Sequence, residues 1–141
     1  MRFVDTNVLL YAACAGPEDA LKSQLAVTLL RSRDITLSVQ VLQEFYWQAT
    51  HTQRANRMSH DEARAHIRDF RRFPTVALTL DVVDVAIDLT ERYQIAYWDA
   101  AILAAAILGE CDTVLTEDLS AHQDYDGIRV VNPFAGAGAN R

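Results

Sequence analysis

The chain has 141 residues, half of them hydrophobic, and a net charge of −6. That length and composition describe one ordinary domain with enough apolar material for a core that needs no staples. They exclude a membrane span, since no apolar run approaches the roughly 20 residues one requires, and the acidic balance argues against a general nucleic-acid binder.

The opening, Met1-Arg2-Phe3-Val4-Asp5, has no secretory pattern, so a mature chain starting at Met1 and a cytoplasmic location are expected. Phe3-Val4 reads as a short buried strand running into Asp5-Thr6-Asn7, all good helix N-caps. Val8–Ala13 then forms a short helix that Gly16-Pro17 breaks. Glu18–Arg31 is a second helix, with Leu21, Leu25 and Leu29 or Thr28 on one face. Cys14 and Cys111 belong to no Cys-x-x-Cys pair and read as reduced core thiols.

Ile35–Ser38 is a second strand, and Ser38 can cap a helix over Val39 to about Thr50. Tyr46 and Trp47 on that helix are expected in the core first and at an interface second. Ser59-x-x-Glu62 is a capping box that opens a helix to about Phe73, where Pro74 ends it. Thr75–Leu78 looks like a third strand, and Thr79 can cap a helix over Leu80–Tyr93. On that helix Asp81, Asp84, Asp88 and Glu91 make an acidic stripe, read as solvated surface. Tyr97–Leu108 is an alanine-rich helix packed on most sides, with Gly109 suited to its C′ position. Thr113–Leu115 and Ile128–Val131 complete the strands, and residues 135–141 have too little to bury and are expected to be frayed.

Short strands alternating with helices favour a parallel sheet covered by helices on both faces. In such α/β sheets, sites form outside the carboxyl ends of the strands. No glycine-rich phosphate loop follows the first strand.

Charge is unevenly spread. Arg54, Arg57, Arg64, Arg68, Arg71 and Arg72 crowd one window against Asp61, Glu62 and Asp69. This stretch is either a place to hold a polyanion or the solvated face of an amphipathic helix.

Four acids sit where acids are costly. Asp5 follows a buried strand, Glu44 lies in the apolar Val41–Trp47 segment, Asp99 starts the alanine-rich helix beside Trp98, and Asp118 follows a strand in Leu115-Thr116-Glu117-Asp118. An unpaired carboxylate in such surroundings costs several kcal/mol or takes up a proton. Arginines are scarce near all four in sequence, and oxygen-only ligands point to Mg²⁺ or Mn²⁺. Structural roles compete: Asp5 and Asp99 can be helix caps, Glu44 a solvent-facing residue and Asp118 a turn residue. The strand-end acids Asp5 and Asp118 point to the same sheet edge and can converge.

Arg2–Tyr11, Leu42-Gln43-Glu44-Phe45-Tyr46, Tyr97-Trp98-Asp99-Ala100-Ala101-Ile102, Leu115–Leu119 and the ending Gly127–Phe134 together resemble the PIN-domain nucleases. They are most similar to the VapC toxins of bacterial VapBC toxin–antitoxin systems, over about residues 2–134. The resemblance implies a PIN-like three-layer α/β/α sandwich of residues 1–134, with a central parallel sheet of about five short strands. It implies an Mg²⁺- or Mn²⁺-dependent endoribonuclease, a cognate VapB-type antitoxin and a homodimer. Asp5 and Asp99 match primary metal ligands, and Glu44 and Asp118 match residues that complete the site directly or through water. Thr6, Asn7 and Thr116 match the polar tier that orients them. Glu117 competes with Asp118, which the Thr-x-Asp register prefers.

Catalysis of this kind requires no histidine, and His51, His60, His66 and His122 sit in polar surroundings. Arg64, Arg68 and Arg71, at i, i+4 and i+7, are expected to line the RNA groove. A phosphoacceptor receiver domain fails for want of paired acids after the first strand and a late lysine. A haloacid-dehalogenase-type phosphatase fails for want of Asp-x-Asp. A stand-alone RNA-processing nuclease and a non-catalytic PIN-like RNA-binding module remain as alternatives to the toxin.

Overall fold

Strand β1 (Arg2–Val4) and helix α1 (Thr6–Cys14) meet at Asp5, whose extended backbone and side chain cap the helix. The computed structural model describes residues 1–121 and 123–137. His122 and residues 138–141 of the expected frayed tail lie outside them, and the rest of that tail, 135–137, forms a turn in which Ala137 N–H donates to the Phe134 carbonyl.

A single 3₁₀ turn at Pro17–Asp19 precedes α2 (Ala20–Leu29), so the second helix is shorter than expected at both ends. Its buried side is Ala26, with Leu30 just beyond it, while Leu21 is exposed. Then follow β2 (Ile35–Ser38), α3 (Val39–Ala49) and α4 (His60–Phe70). Ser38 accepts from Val41 N–H at the start of α3. Both arms of the Ser59/Glu62 capping box form at the start of α4.

Strand β3 is only Thr75–Val76, with Ala77 and Leu78 left outside it. It leads through α5 (Leu80–Tyr93) to α6 (Tyr97–Leu108) and β4 (Thr113–Leu115). Asp81, Asp84, Asp88 and Glu91 all lie on the exposed side of α5, as surface residues should. Gly109 is the C-cap of α6 with an ordinary φ of −82°, and the left-handed residue is Glu110 (φ 59°). The glycine is needed for closeness instead, since a Cβ there would stand 2.7 Å from Val76 Cγ2.

The sheet has six strands rather than about five. The additional one is β5 (Asp124–Tyr125), an edge strand antiparallel to β6 (Ile128–Val131). Asp126 and Gly127, both with positive φ, make the two-residue turn between them. Asp-Gly is a strong hairpin signal because both positions of this turn type need left-handed backbone. Arg92 of α5 pairs with Asp126 and holds this corner.

The order is β3-β2-β1-β4-β6-β5, parallel except for β5. From β1 the chain winds out to β2 and β3, then returns to β4 on the other side of β1. The crevice between β1 and β4 is therefore the topological switch point, where ligands bind in sheets of this kind. Helices α1 to α4 pack on one another, and α5 packs on α6, which lies across β2, β3, β4 and β6. This is an α/β/α sandwich. Phe3, Val4, Leu37, Val114, Leu103 and Phe45 are among its fully buried side chains, and Cys14 and Cys111 are buried free thiols. Tyr46 and Trp47 contradict the core expectation, for they face outward from α3 while Val41, Phe45 and Ala49 take its buried side. Among the described residues no helix is long and apolar enough to cross a membrane.

Candidate active site

At the mouth of the switch-point crevice, backbone pairing fixes the first two acids. Asp5 N–H donates to the Leu115 carbonyl at 3.1 Å, continuing the β1–β4 ladder by one residue and bringing Asp5 beside Thr116. Asp5 is 7% exposed and each of its oxygens accepts one hydrogen bond: Oδ1 from Thr6 N–H at 2.7 Å, and Oδ2 from Thr116 Oγ1 at 2.8 Å. The Thr116 hydroxyl, wholly buried, spends its one proton on Asp5 and accepts from Asn7 Nδ2 and Asp118 N–H, each at 3.0 Å. Asn7 Nδ2 also donates to Asp118 Oδ2 at 3.0 Å. Helix α1 thus ties the ends of β1 and β4 together through its first turn.

The same turn reaches α3. Thr6 Oγ1 donates to Glu44 Oε2 at 2.8 Å, and Gln40 Nε2 holds Glu44 Oε1 at 2.8 Å. Asp99 comes from α6. It is not the helix cap, a position held by Ala96, but the third residue of the first turn. Its carboxylate is half-buried and takes no hydrogen bond from the described residues.

Asp5, Glu44, Asp99 and Asp118 line one cavity of about 140 Å³ together with Thr6, Asn7, Gln48, Trp98 and two aliphatic side chains. No lysine, arginine or histidine of the described residues is among its walls. The crowding is visible in the acids' protonation. Burial raises the Asp5 carboxyl to about 6 against two hydrogen bonds that pull it down, with the charges of Glu44 and Asp118 adding to the rise. Asp99 is also raised, by burial first and then by Asp118 and Glu44. Among the described residues no three His, Cys, Asp or Glu side chains stand together as a ready-made ligand set for one ion. The acids share a cavity rather than a closed coordination shell.

Other expected residues fall elsewhere. Glu117 turns away from the cavity to Lys22 Nζ (3.1 Å) and the Tyr11 hydroxyl. Arg64 and Arg68 are exposed on α4 and Arg71 caps its end; none of the three lines the acidic cavity. Gln40, Gln48 and Trp98 were not singled out from the sequence as site residues. The glutamines could have been found, since residues 40, 44 and 48 follow the i, i+4, i+8 spacing of one helical stripe around Glu44.

The family model of the PIN domain matches residues 2–127. No curated protein matches. Among solved structures, a toxin–antitoxin complex from Klebsiella pneumoniae is similar at a TM-score of 0.68 and 19% identity, over 94% of this chain and 98% of that one. VapC20 of Mycobacterium tuberculosis, a sarcin–ricin loop cleaving toxin, is similar at 0.62 and 17%, over 81% of this chain and 87% of that one. VapBC2 from Rickettsia felis, bound to a DNA fragment from their promoter, is similar at 0.63 and 17%, over 92% and 96%. At such identities the likeness is one of fold.

Proposed function

This chain belongs to the PIN-domain family, and on that footing we propose that it is a divalent-metal-dependent endoribonuclease, the toxin of a type II toxin–antitoxin pair. The observation that carries the reading is the cavity with four carboxylates and no basic described residue on its walls. Asp5 is buried, Glu44 and Asp99 are half-buried and Asp118 is exposed, so the cost lies in like charges facing one small cavity, and a hard cation is the partner that all-oxygen walls suit. Asn7 adds a further sign: with both amide hydrogens committed, its Oδ1 is buried without a donor. Mg²⁺ usually keeps several waters and takes only one or two carboxylates, so an open set of acids fits it, or Mn²⁺, better than a closed cage would.

Asp5 and Asp99 are the residues to hold the ion, with Glu44 and Asp118 completing its surroundings directly or through water. A divalent ion here supplies charge neutralisation at the phosphate and a lowered pKa for attacking water. The chain's own groups do the rest. Thr116 and the Thr6 amide fix the Asp5 carboxylate in one rotamer, and Thr6 and Gln40 do the same for Glu44. Whichever of Glu44 and Asp118 is free of the ion takes the proton from the water. Hydrolysis then leaves a 5′-phosphate and a 3′-hydroxyl. Glu117 is paired with Lys22 and lies outside the cavity lining, which favours Asp118 as the fourth acid.

Arg64, Arg68 and Arg71 would draw RNA to an otherwise negative molecule from outside the cavity. A VapB-type antitoxin would block the acids by inserting a basic side chain, and exposed apolar residues such as Leu80 and Ile87 on α5 supply a face for homodimerisation. The toxin–antitoxin complex from Klebsiella pneumoniae and VapBC2 from Rickettsia felis, both similar in fold, support the antitoxin. A cytoplasmic location goes with that reading. The test is cleavage of total RNA with Mg²⁺ or Mn²⁺ and with EDTA. The expected result is cutting that EDTA abolishes and fresh metal restores; EDTA-insensitive cutting would refute the mechanism.

A further inference from the structure

Trp47 on α3 and Trp98 on α6 are 63% and 68% exposed, on a chain that buries most of its large apolar side chains. Both line one groove of about 790 Å³, whose remaining walls are Gln40, Gln43, Glu44 and Gln48. Glu44, Gln48 and Trp98 also line the acidic cavity, so the groove opens directly from it. The indoles are braced from the side, Trp98 edge-on to Tyr97 at 5.1 Å and Trp47 against His51 at 4.5 Å between ring centroids.

We propose that Trp47 and Trp98 form a stacking platform that holds unpaired bases beside the cleaved bond. The inference rests on the nuclease reading above. Its warrant is the match of chemistry. Indole faces stack on any base, and carboxamides offer both donors and acceptors to base edges. Gln40 and Glu44 bond one another, but an apolar peptide face would offer nothing to the carboxamides of Gln43 and Gln48. The platform also supplies what an acidic cavity lacks, affinity that does not depend on the phosphate charge. A duplex keeps its bases stacked internally and gains nothing from the two rings.

Binding of a labelled oligouridylate and of a fully paired RNA hairpin stem, followed by fluorescence anisotropy in Mg²⁺, tests this. Asp99→Asn is the background, so that the probe is not cut. Trp47→Ala and Trp98→Ala should each weaken oligouridylate binding about tenfold or more, the loss expected from removing one base–aromatic stack. Trp→Phe should restore most of the affinity, and binding of the duplex should not change. Unchanged oligouridylate affinity in both alanine variants would overturn the proposal and leave the groove to a protein partner. So would equal losses on the duplex, or no binding by the parent. Cleavage by the otherwise native chain separates the two readings. Tryptophan-dependent binding without any cutting would sink the nuclease and keep the platform. Cutting with the same KM in the alanine variants would sink the platform alone.

Discussion

Asp5 caps a helix, accepts two hydrogen bonds, is buried and faces like charge at once. Its carboxyl titrates near 6 in the fold, against about 4 in an unfolded chain. Between those values the folded state holds a proton that the unfolded state has released, so stability falls as pH rises through the window and stays low above it. The full shift amounts to up to about 3 kcal/mol in the metal-free protein. Asn keeps the cap but cannot ionise, at the cost of a bond to Thr116 that does not vary with pH. In EDTA, then, the melting temperature of wild type should drop relative to Asp5→Asn between about pH 4 and 6. Parallel curves across that range would mean that burial does not raise the Asp5 carboxyl in the fold. At this scale the sequence was partly legible. Asp5 as a cap and its convergence with Asp118 follow from strand-end position. The link from Thr6 to Glu44 does not, since it joins residues far apart in sequence through the packing of α1 on α3. The competing reading of Asp99 as a helix cap fails, because Ala96, three residues before it, holds that place.

Among the elements, those with a local chemical signal were readable and those made by tertiary contact were not. Ser38 and the Ser59/Glu62 box placed two helix starts correctly. Strand β3 shrank to two residues because only Thr75 and Val76 find partners on β2. The β5–β6 hairpin had its signal in Asp126-Gly127, which was available and unused. Gly109 shows the limit most clearly: its position at the end of α6 was expected, its reason was not. Its backbone is ordinary, so Gly109→Ala costs nothing in conformation. A Cβ would meet Val76 and the Ala105 carbonyl, the latter at 3.1 Å. Forced overpacking of this kind typically costs about 1–3 kcal/mol. Urea unfolding should show Gly109→Ala less stable by that order with the same m-value. A neutral or stabilising effect would show that β3 and α6 can part without penalty.

In the whole molecule, charge is divided between an acidic pocket and an arginine-bearing helix, and under the proposed function RNA uses both. Each phosphate neutralised by a basic side chain contributes about 0.7 to the salt slope for single strands. Replacing Arg64, Arg68 and Arg71 together by Ala should therefore lower the log–log slope of RNA binding by about 2, with KM raised and kcat little changed. An unchanged slope would remove α4 from the RNA path. The fold is what joins the distant parts: a switch point between β1 and β4 brings residues from β1, α3, α6 and the end of β4 to one cavity. Metal-dependent RNA hydrolysis is the activity proposed for this cavity. Asp99→Asn tests it most directly, because Asp99 has no described hydrogen bond to lose and the variant should melt no lower than wild type. With Mg²⁺ or Mn²⁺ the wild type should cut single-stranded RNA and the folded variant should lose at least about a hundredfold in kcat, over 2.7 kcal/mol of barrier. Full activity in a folded Asp99→Asn protein would contradict the account.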